Sequence, residues 1–160
     1  MSDSQDDLAG EAFVDEVFDD FREQLMSTLT DEDLGFTPGG ANPTLGELCV
    51  DIGDIEYTYI RSLKTLKHDW TYPTTVPELG TSVEKLKAWF AELDADLKVL
   101  LSGYSNEDLA MEVDRGWPAS RRTQIYIYRE ALYIFYGRAS VYLRVLRKPV
   151  TQQWKDGIGE

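Results

Sequence analysis

The stretch Thr44-Leu-Gly-Glu-Leu-Cys-Val-Asp-Ile-Gly-Asp-Ile-Glu56 decides the fold. Thr44 with Glu47 three residues later has the form of a capping box, in which each side chain satisfies a backbone N–H that a first helical turn leaves unpaired. From there Leu45, Leu48, Cys49, Ile52, Ile55, Tyr59, Leu63 and Leu66 recur every three or four residues. That spacing is one buried face of a helix, whereas a half-buried strand alternates at a period of two. A helix is predicted over 44–66.

Three further segments carry the same periodicity. One runs over 8–29, with Phe13, Val14, Val17, Phe18, Phe21 and Leu25 on one stripe and Asp15, Asp19, Arg22 and Glu23 opposite. Another starts at a second capping-box pattern, Thr81 to Glu84, and runs through Leu86, Trp89, Phe90, Leu93 and Leu97 to Gly103. The last spans 123–146 and is apolar almost all round; only Thr123, Glu130, Gly137 and Arg144 form a polar or small line. A helix apolar on most sides is buried on most sides, so it is expected to pack against three helices or to form a dimer seam. The connections Gly35–Pro43, Asp69–Gly80 and Ser105–Ser120 hold the turn signals. The fold class is therefore all-α, a four-helix bundle in one domain over residues 1–150, with 151–160 read as a tail.

The 160 residues carry 29 acidic and 16 basic side chains, a net charge of -13. Such a surface repels phosphate backbones, so nucleic acid is excluded as a partner. The charge is uneven: residues 1–33 hold twelve acids against Arg22, and residues 115–160 hold nine basic residues against Glu130, Asp156 and Glu160. An acidic first helix lying near a basic last one, within a chain or across a dimer, is the structural expectation. Cys49 stands alone, which rules out an intramolecular disulfide and suits the cytoplasm. No stretch has the ~20 apolar residues needed to span a bilayer, and the polar start is no signal peptide, so no membrane association is expected.

Helix two resembles the second-helix signature of the DinB/YfiT superfamily, in which an S/T-L-G-E-L start leads into a metal-binding histidine and then I-A-D-x-E. Leu34-Gly-Phe-Thr-Pro38 is similar to its L-x-x-x-P loop, and Gly137-Arg-Ala-Ser-Val-Tyr-Leu-Arg-Val-Leu146 to its H-x-x-x-H-R-G-Q-x-x-x-Y-L-R-x-L helix. The resemblance covers residues 8–150. It implies an up-down-down-up, DinB/YfiT-like bundle with a long crossover, often dimeric, with three histidines holding a divalent metal at one mouth. It also implies thiol-dependent transferase or hydrolase relatives.

Residue by residue, the resemblance places Asp51 at the first histidine position and Ala131 and Phe135 at the other two. His68 is the only histidine in the chain. Alanine and phenylalanine ligate nothing, and one carboxylate without nitrogen partners is a weak site for zinc or nickel. No metal and no cofactor is expected. A carboxylate-held metal using Asp51 and Glu130 is disfavoured because helical projection sends Glu130 elsewhere.

What remains is a small-molecule pocket. Gln124, Tyr128, Ala131, Phe135, Arg138 and Tyr142 project toward one sector of helix four, with Asp51 facing it and Arg138 its expected ion-pair partner. Aromatic walls with a few polar handles suit a ligand site. His68, after Lys67 at the end of helix two, reads as a cation favoured by the helix dipole. Cys49 reads as a small buried hydrophobe, and Trp117 as a packing residue or a cap on the mouth. The expected protein is a cytoplasmic homodimer that binds a small ligand or is non-catalytic. The alternatives are a thiol-dependent transferase or hydrolase working without the metal triad, and a protein-interaction module.

Overall fold

The computed structural model describes residues 8–71, 76 and 78–159. Its elements are α1 (Glu11–Val17), α2 (Phe21–Thr28), the one-turn α3 (Asp31–Leu34), α4 (Leu45–Thr65), α5 (Val83–Gly103), α6 (Asn106–Ala110), strands β1 (Glu112–Asp114) and β2 (Pro118–Ser120), α7 (Arg121–Val145) and α8 (Gln152–Gly157). Named contacts fix the directions of the long ones. Phe13 meets the Tyr126 ring, Arg129 pairs with Glu16 at 3.2 Å and Tyr136 Oη donates to Asp19 at 3.3 Å, so the first helix runs parallel to α7. Gln124 donates to Ser62 and Tyr142 Oη donates to the Pro43 carbonyl at 2.7 Å, so α4 is antiparallel to α7. Lys64 pairs with Asp96 and Gly53 lies against Trp89, so α4 and α5 are parallel. The bundle is up-down-down-up. Two parallel neighbours need a long connection, which is what the crossover from Leu66 to Ser82 provides.

The first helix is not the single rod its periodicity predicts. It breaks at Phe18, whose backbone is extended. Asp19 Oδ1 accepts the Phe21 N–H at 3.0 Å and the Tyr136 hydroxyl, giving the backbone a partner outside the helical ladder. A short acidic side chain competes with helix hydrogen bonding in this way. The break re-aims α2, so that Arg22, on the polar side of a continuous helix, is buried instead.

The capping box at Thr44 forms in both directions, with Thr44 N–H to Glu47 at 2.7 Å and Glu47 N–H to Thr44 Oγ1 at 3.1 Å. The one read at Thr81 does not. Ser82 caps α5 by accepting the Lys85 N–H, and Leu79–Thr81 form a 3-10 turn. Gly46 is packed so closely on Gly80 that any side chain there would meet backbone.

The connector Ser105–Ser120 is more ordered than its turn residues suggest. Ser105 and Asp108 form a capping box for α6, and β1 pairs antiparallel with β2 through Val113 opposite Ala119. The segment read as a tail carries α8, capped by Thr151. Trp154 is 2 % exposed against Phe21 and Tyr136, and its Nε1 donates to Ser140 Oγ at 2.9 Å. The acidic N-terminal third meets the basic C-terminal part within one chain, through Glu16–Arg129 and Asp33–Lys148 at 2.6 Å. Among the described residues no helix is long and apolar enough to cross a membrane.

Candidate functional site

The break in the first helix opens a cleft of about 440 Å³ between α2, α5 and α7. Phe18, Met26 and Phe90 give it apolar walls, Lys87 and Lys98 stand at its rim, and Arg22, Asp94, Tyr128 and Tyr136 form its floor. Every long helix contributes to the polar cluster beneath. Arg22 Nη1 donates to Glu56 Oε2 and Nη2 to Asp94 Oδ1, both at 2.6 Å, while the guanidinium lies 4.2 Å from the centre of the Phe90 ring.

Burial pushes the Glu56 carboxyl up to about 7, against the opposing pull of the Arg22 charge. Burial alone would lower the Arg22 pKa, but Tyr128, Glu56 and Asp94 around it raise it well above the ordinary value, and it stays a fixed cation although buried. Burial holds Tyr128 well above the usual phenol range, so its hydroxyl is neutral at any physiological pH. Among the described residues, Glu56 Oε1 and Tyr128 Oη, both buried, make no hydrogen bond of good geometry, although the phenol faces the carboxyl and favours its ionised form. A buried polar atom without a partner costs about 1–3 kcal/mol. For Tyr128, which lines the cleft, a ligand or solvent atom in the cleft would relieve that cost.

A second polar cluster sits where α4 ends and α7 begins. Arg115 Nη1 donates to Gln124 Oε1 at 2.6 Å, which turns the amide nitrogen of Gln124 toward Ser62 Oγ and His68 Nδ1, each at 3.1 Å. His68 is not the charged helix cap that its position suggests. It is 8 % exposed, packed between Tyr59 and Trp70, and burial lowers its pKa. Leu66 closes the helix instead, in a left-handed conformation, and His68 N–H bonds the Asp114 carbonyl at 2.7 Å. Trp117 is half exposed under the Arg115 guanidinium.

Of the expected pocket residues only Tyr128 lines the cleft. Gln124 belongs to the His68 cluster, Phe135 packs in the core beside Tyr136, and Tyr142 anchors the loop before α4 through Pro43 and Phe36. Ala131 is half-buried, and Asp51 and Arg138 are exposed, with no ion pair between them among the described residues. The pocket residues the sequence missed are Arg22 and Asp94, with Glu56 behind them. Glu56 carried a signal: it lies four residues after Ile52 and three before Tyr59, on the buried arc itself.

The model of the DinB superfamily matches residues 17–134. The chain belongs to the DinB superfamily. Its fold is similar to that of a DinB-like protein of Bacillus cereus, with a TM-score of 0.73 and 19% identity over 88% of this chain and 95% of that one. It is also similar to a DinB-like protein of Bacillus subtilis, with a TM-score of 0.67 and 16% identity over 84% of this chain and 91% of that one. No curated protein matches the chain. The metal implied by resemblance to DinB proteins does not fit the residues present. Asp51 faces solvent, Ala131 and Phe135 have no donor atom, and no group of three His, Cys, Asp or Glu converges among the described residues.

Proposed function

We propose that this DinB protein works in the cytoplasm by binding a small amphipathic molecule in the cleft beside the broken first helix. The observation that carries this reading is the Tyr128 hydroxyl, buried without a well-formed hydrogen bond among the described residues, in a side chain that lines the cleft next to Arg22. The ligand class follows from the lining: an apolar part for Phe18, Phe90 and Met26, and a hydrogen-bonding head for Tyr128 Oη. A thiol-dependent transferase or hydrolase would have to take its thiol from a second substrate. Cys49 is buried on α4, and burial pushes its thiol up to about 12.

Two substitutions test the reading. Ala91→Trp, at an exposed position on the lip, fills the cleft without touching the core. Tyr128→Phe removes only the hydroxyl. In a thermal-shift screen of small amphipathic compounds, a true ligand raises the melting temperature of the parent. Titration calorimetry then finds binding lost in Ala91→Trp and weakened about tenfold or more in Tyr128→Phe. Hits that bind both variants as they bind the parent, or a screen with no hit, would overturn the proposal.

A further inference from the structure

The donors on the floor of the cleft are already engaged within the chain. Arg22 gives Nη1 to Glu56 and Nη2 to Asp94. Tyr136 gives its only hydroxyl hydrogen to Asp19 Oδ1. The Tyr128 phenol faces the Glu56 carboxyl and favours its ionised form, which directs its hydrogen there and leaves its lone pairs over. What remains is acceptor capacity. Asp94, partly exposed, takes Arg22 on Oδ1 and keeps Oδ2 for another donor. Asp19 receives both the Phe21 N–H and the Tyr136 hydroxyl on Oδ1.

The charges agree with the hydrogen bonds. Asp19, Asp20, Glu23 and Asp94 line the cleft against Arg22, Lys87 and Lys98, and Glu56 lies behind Arg22. The lining is net acidic in a chain of net charge -13, and such a field draws cations in. The aromatic walls have the same preference, since the face of a ring is its negative side. Arg22 lies 4.2 Å from the centre of the Phe90 ring, and Lys98 Nζ lies 4.7 Å from that of Phe18. Lys98 is exposed on a flexible stem, so its ammonium occupies a ring face that an incoming cation can take over.

We propose that the cleft selects a protonated amine on an apolar body, its N–H groups given to Asp94 and the Tyr128 oxygen and its charge held by the aromatic wall. This inference rests on the cleft being the binding site and adds the chemistry of the head. A carboxylate head would meet like charges and a floor whose donors are engaged. An alcohol would gain nothing from the field. A quaternary ammonium would bring the charge but no N–H.

Titration calorimetry of the full chain at neutral pH tests it with octylamine, octanol, octanoate and octyltrimethylammonium, which share one apolar chain and differ in the head. Octylamine should bind about tenfold or more tighter than the other three. Ala91→Trp should abolish that binding, and Asp94→Asn should weaken it about tenfold. Lys98→Met, at an exposed site that folding does not need, should tighten it several-fold by removing the competing cation. Circular dichroism checks the fold of each variant, and Lys98→Met still decides the matter if Asp94→Asn does not fold. Octanol or octanoate bound as tightly as octylamine, and lost in Ala91→Trp, would overturn the choice of head and leave the cleft as the site. Octylamine held equally by the parent and Ala91→Trp would mean attraction to the acidic surface alone, which also overturns it. So would an affinity unmoved by both Asp94→Asn and Lys98→Met. Binding of none of the four overturns this inference, while the cleft itself falls only if the wider compound screen is also empty.

Discussion

Arg22 on α2 and Glu56 on α4 form a buried ion pair across the core of the bundle. The guanidinium reaches from α2 across the core to a carboxylate on α4 at 2.6 Å, with the two side chains 8% and 0% exposed. In a ring ordered first helix, α5, α4, α7, this is a diagonal. Asp94 on α5 takes the other end of the guanidinium fork, also at 2.6 Å. Such a cluster specifies how four helices align more than it adds stability, because desolvating the charges offsets most of their attraction.

A double-mutant cycle should show this. Glu56→Leu leaves a buried guanidinium facing only the partly exposed Asp94, and Arg22→Met leaves a buried carboxylate near Tyr128. Each single change is expected to cost about 3–5 kcal/mol in urea unfolding, and the double change far less than their sum. Additive losses would mean the two side chains stabilise the fold independently.

The same carboxylate makes stability depend on pH. Its native pKa of about 7 lies above the ordinary 4.5. The native state therefore binds the proton more tightly, so the stabilisation is full below 4.5 and is lost as pH rises through about 7. Subtracting the unfolding free energy of Glu56→Gln from that of the parent at each pH isolates the effect from other groups. The difference should fall across pH 4.5–7. A flat difference curve would mean that Glu56 stays ionised throughout.

The bundle was legible because helix periodicity and a capping box act over a few residues. Thr44–Glu47 formed as read, and the apolar arc of α4 is buried except at the half-buried Ile55. The pocket was not, because a helical projection discards distance along the axis. Gln124 and Tyr142 share a sector of α7 yet stand ~27 Å apart at 1.5 Å per residue, too far for one small ligand. The site also depends on the break at Phe18–Asp20, and no periodicity announces a helix that stops for three residues and resumes. Once it breaks, Arg22 turns from surface cation to core cation. His68 failed for a related reason: the left-handed turn at Leu66 folds it back under Trp70, while its sequence position alone suggested a charged helix end.

Gly46 and Gly53 rank a pair of substitutions that sequence treats alike. Alanine is the better helix former by about 1 kcal/mol at either site. At Gly46 the added methyl meets the Gly80 backbone, within the 3-10 turn Leu79–Thr81. At Gly53 it meets the ring of Trp89, a half-buried side chain rather than backbone. Overpacking costs about 1–3 kcal/mol, so Gly46→Ala should be clearly destabilising and Gly53→Ala close to neutral. Chemical denaturation of the two variants decides it, and the reverse order would mean that the crossover yields more easily than the ring.

The imidazole of His68 tests the second polar cluster directly, since the chain has only one histidine and its NMR signals need no assignment. Arg115 can only donate, so the Gln124 oxygen that accepts from it must face it, and the Gln124 amide must donate to His68 Nδ1. Nδ1 is then an acceptor and the proton of the neutral ring sits on Nε2, which has no partner among the described residues. Burial and the nearby Arg115 charge both lower the pKa below 6.5. The neutral ring is the one the fold prefers, so its contribution to stability is complete above pH 6.5 and is lost as pH falls through the native value. Nitrogen-15 shifts should report the Nε2–H tautomer at neutral pH and a single titration with its midpoint below 6.5. In Gln124→Leu the acceptor at Nδ1 loses its donor, and the tautomer preference should weaken or reverse. A proton on Nδ1 in the parent would show that the Arg115–Gln124–His68 chain does not run in this direction.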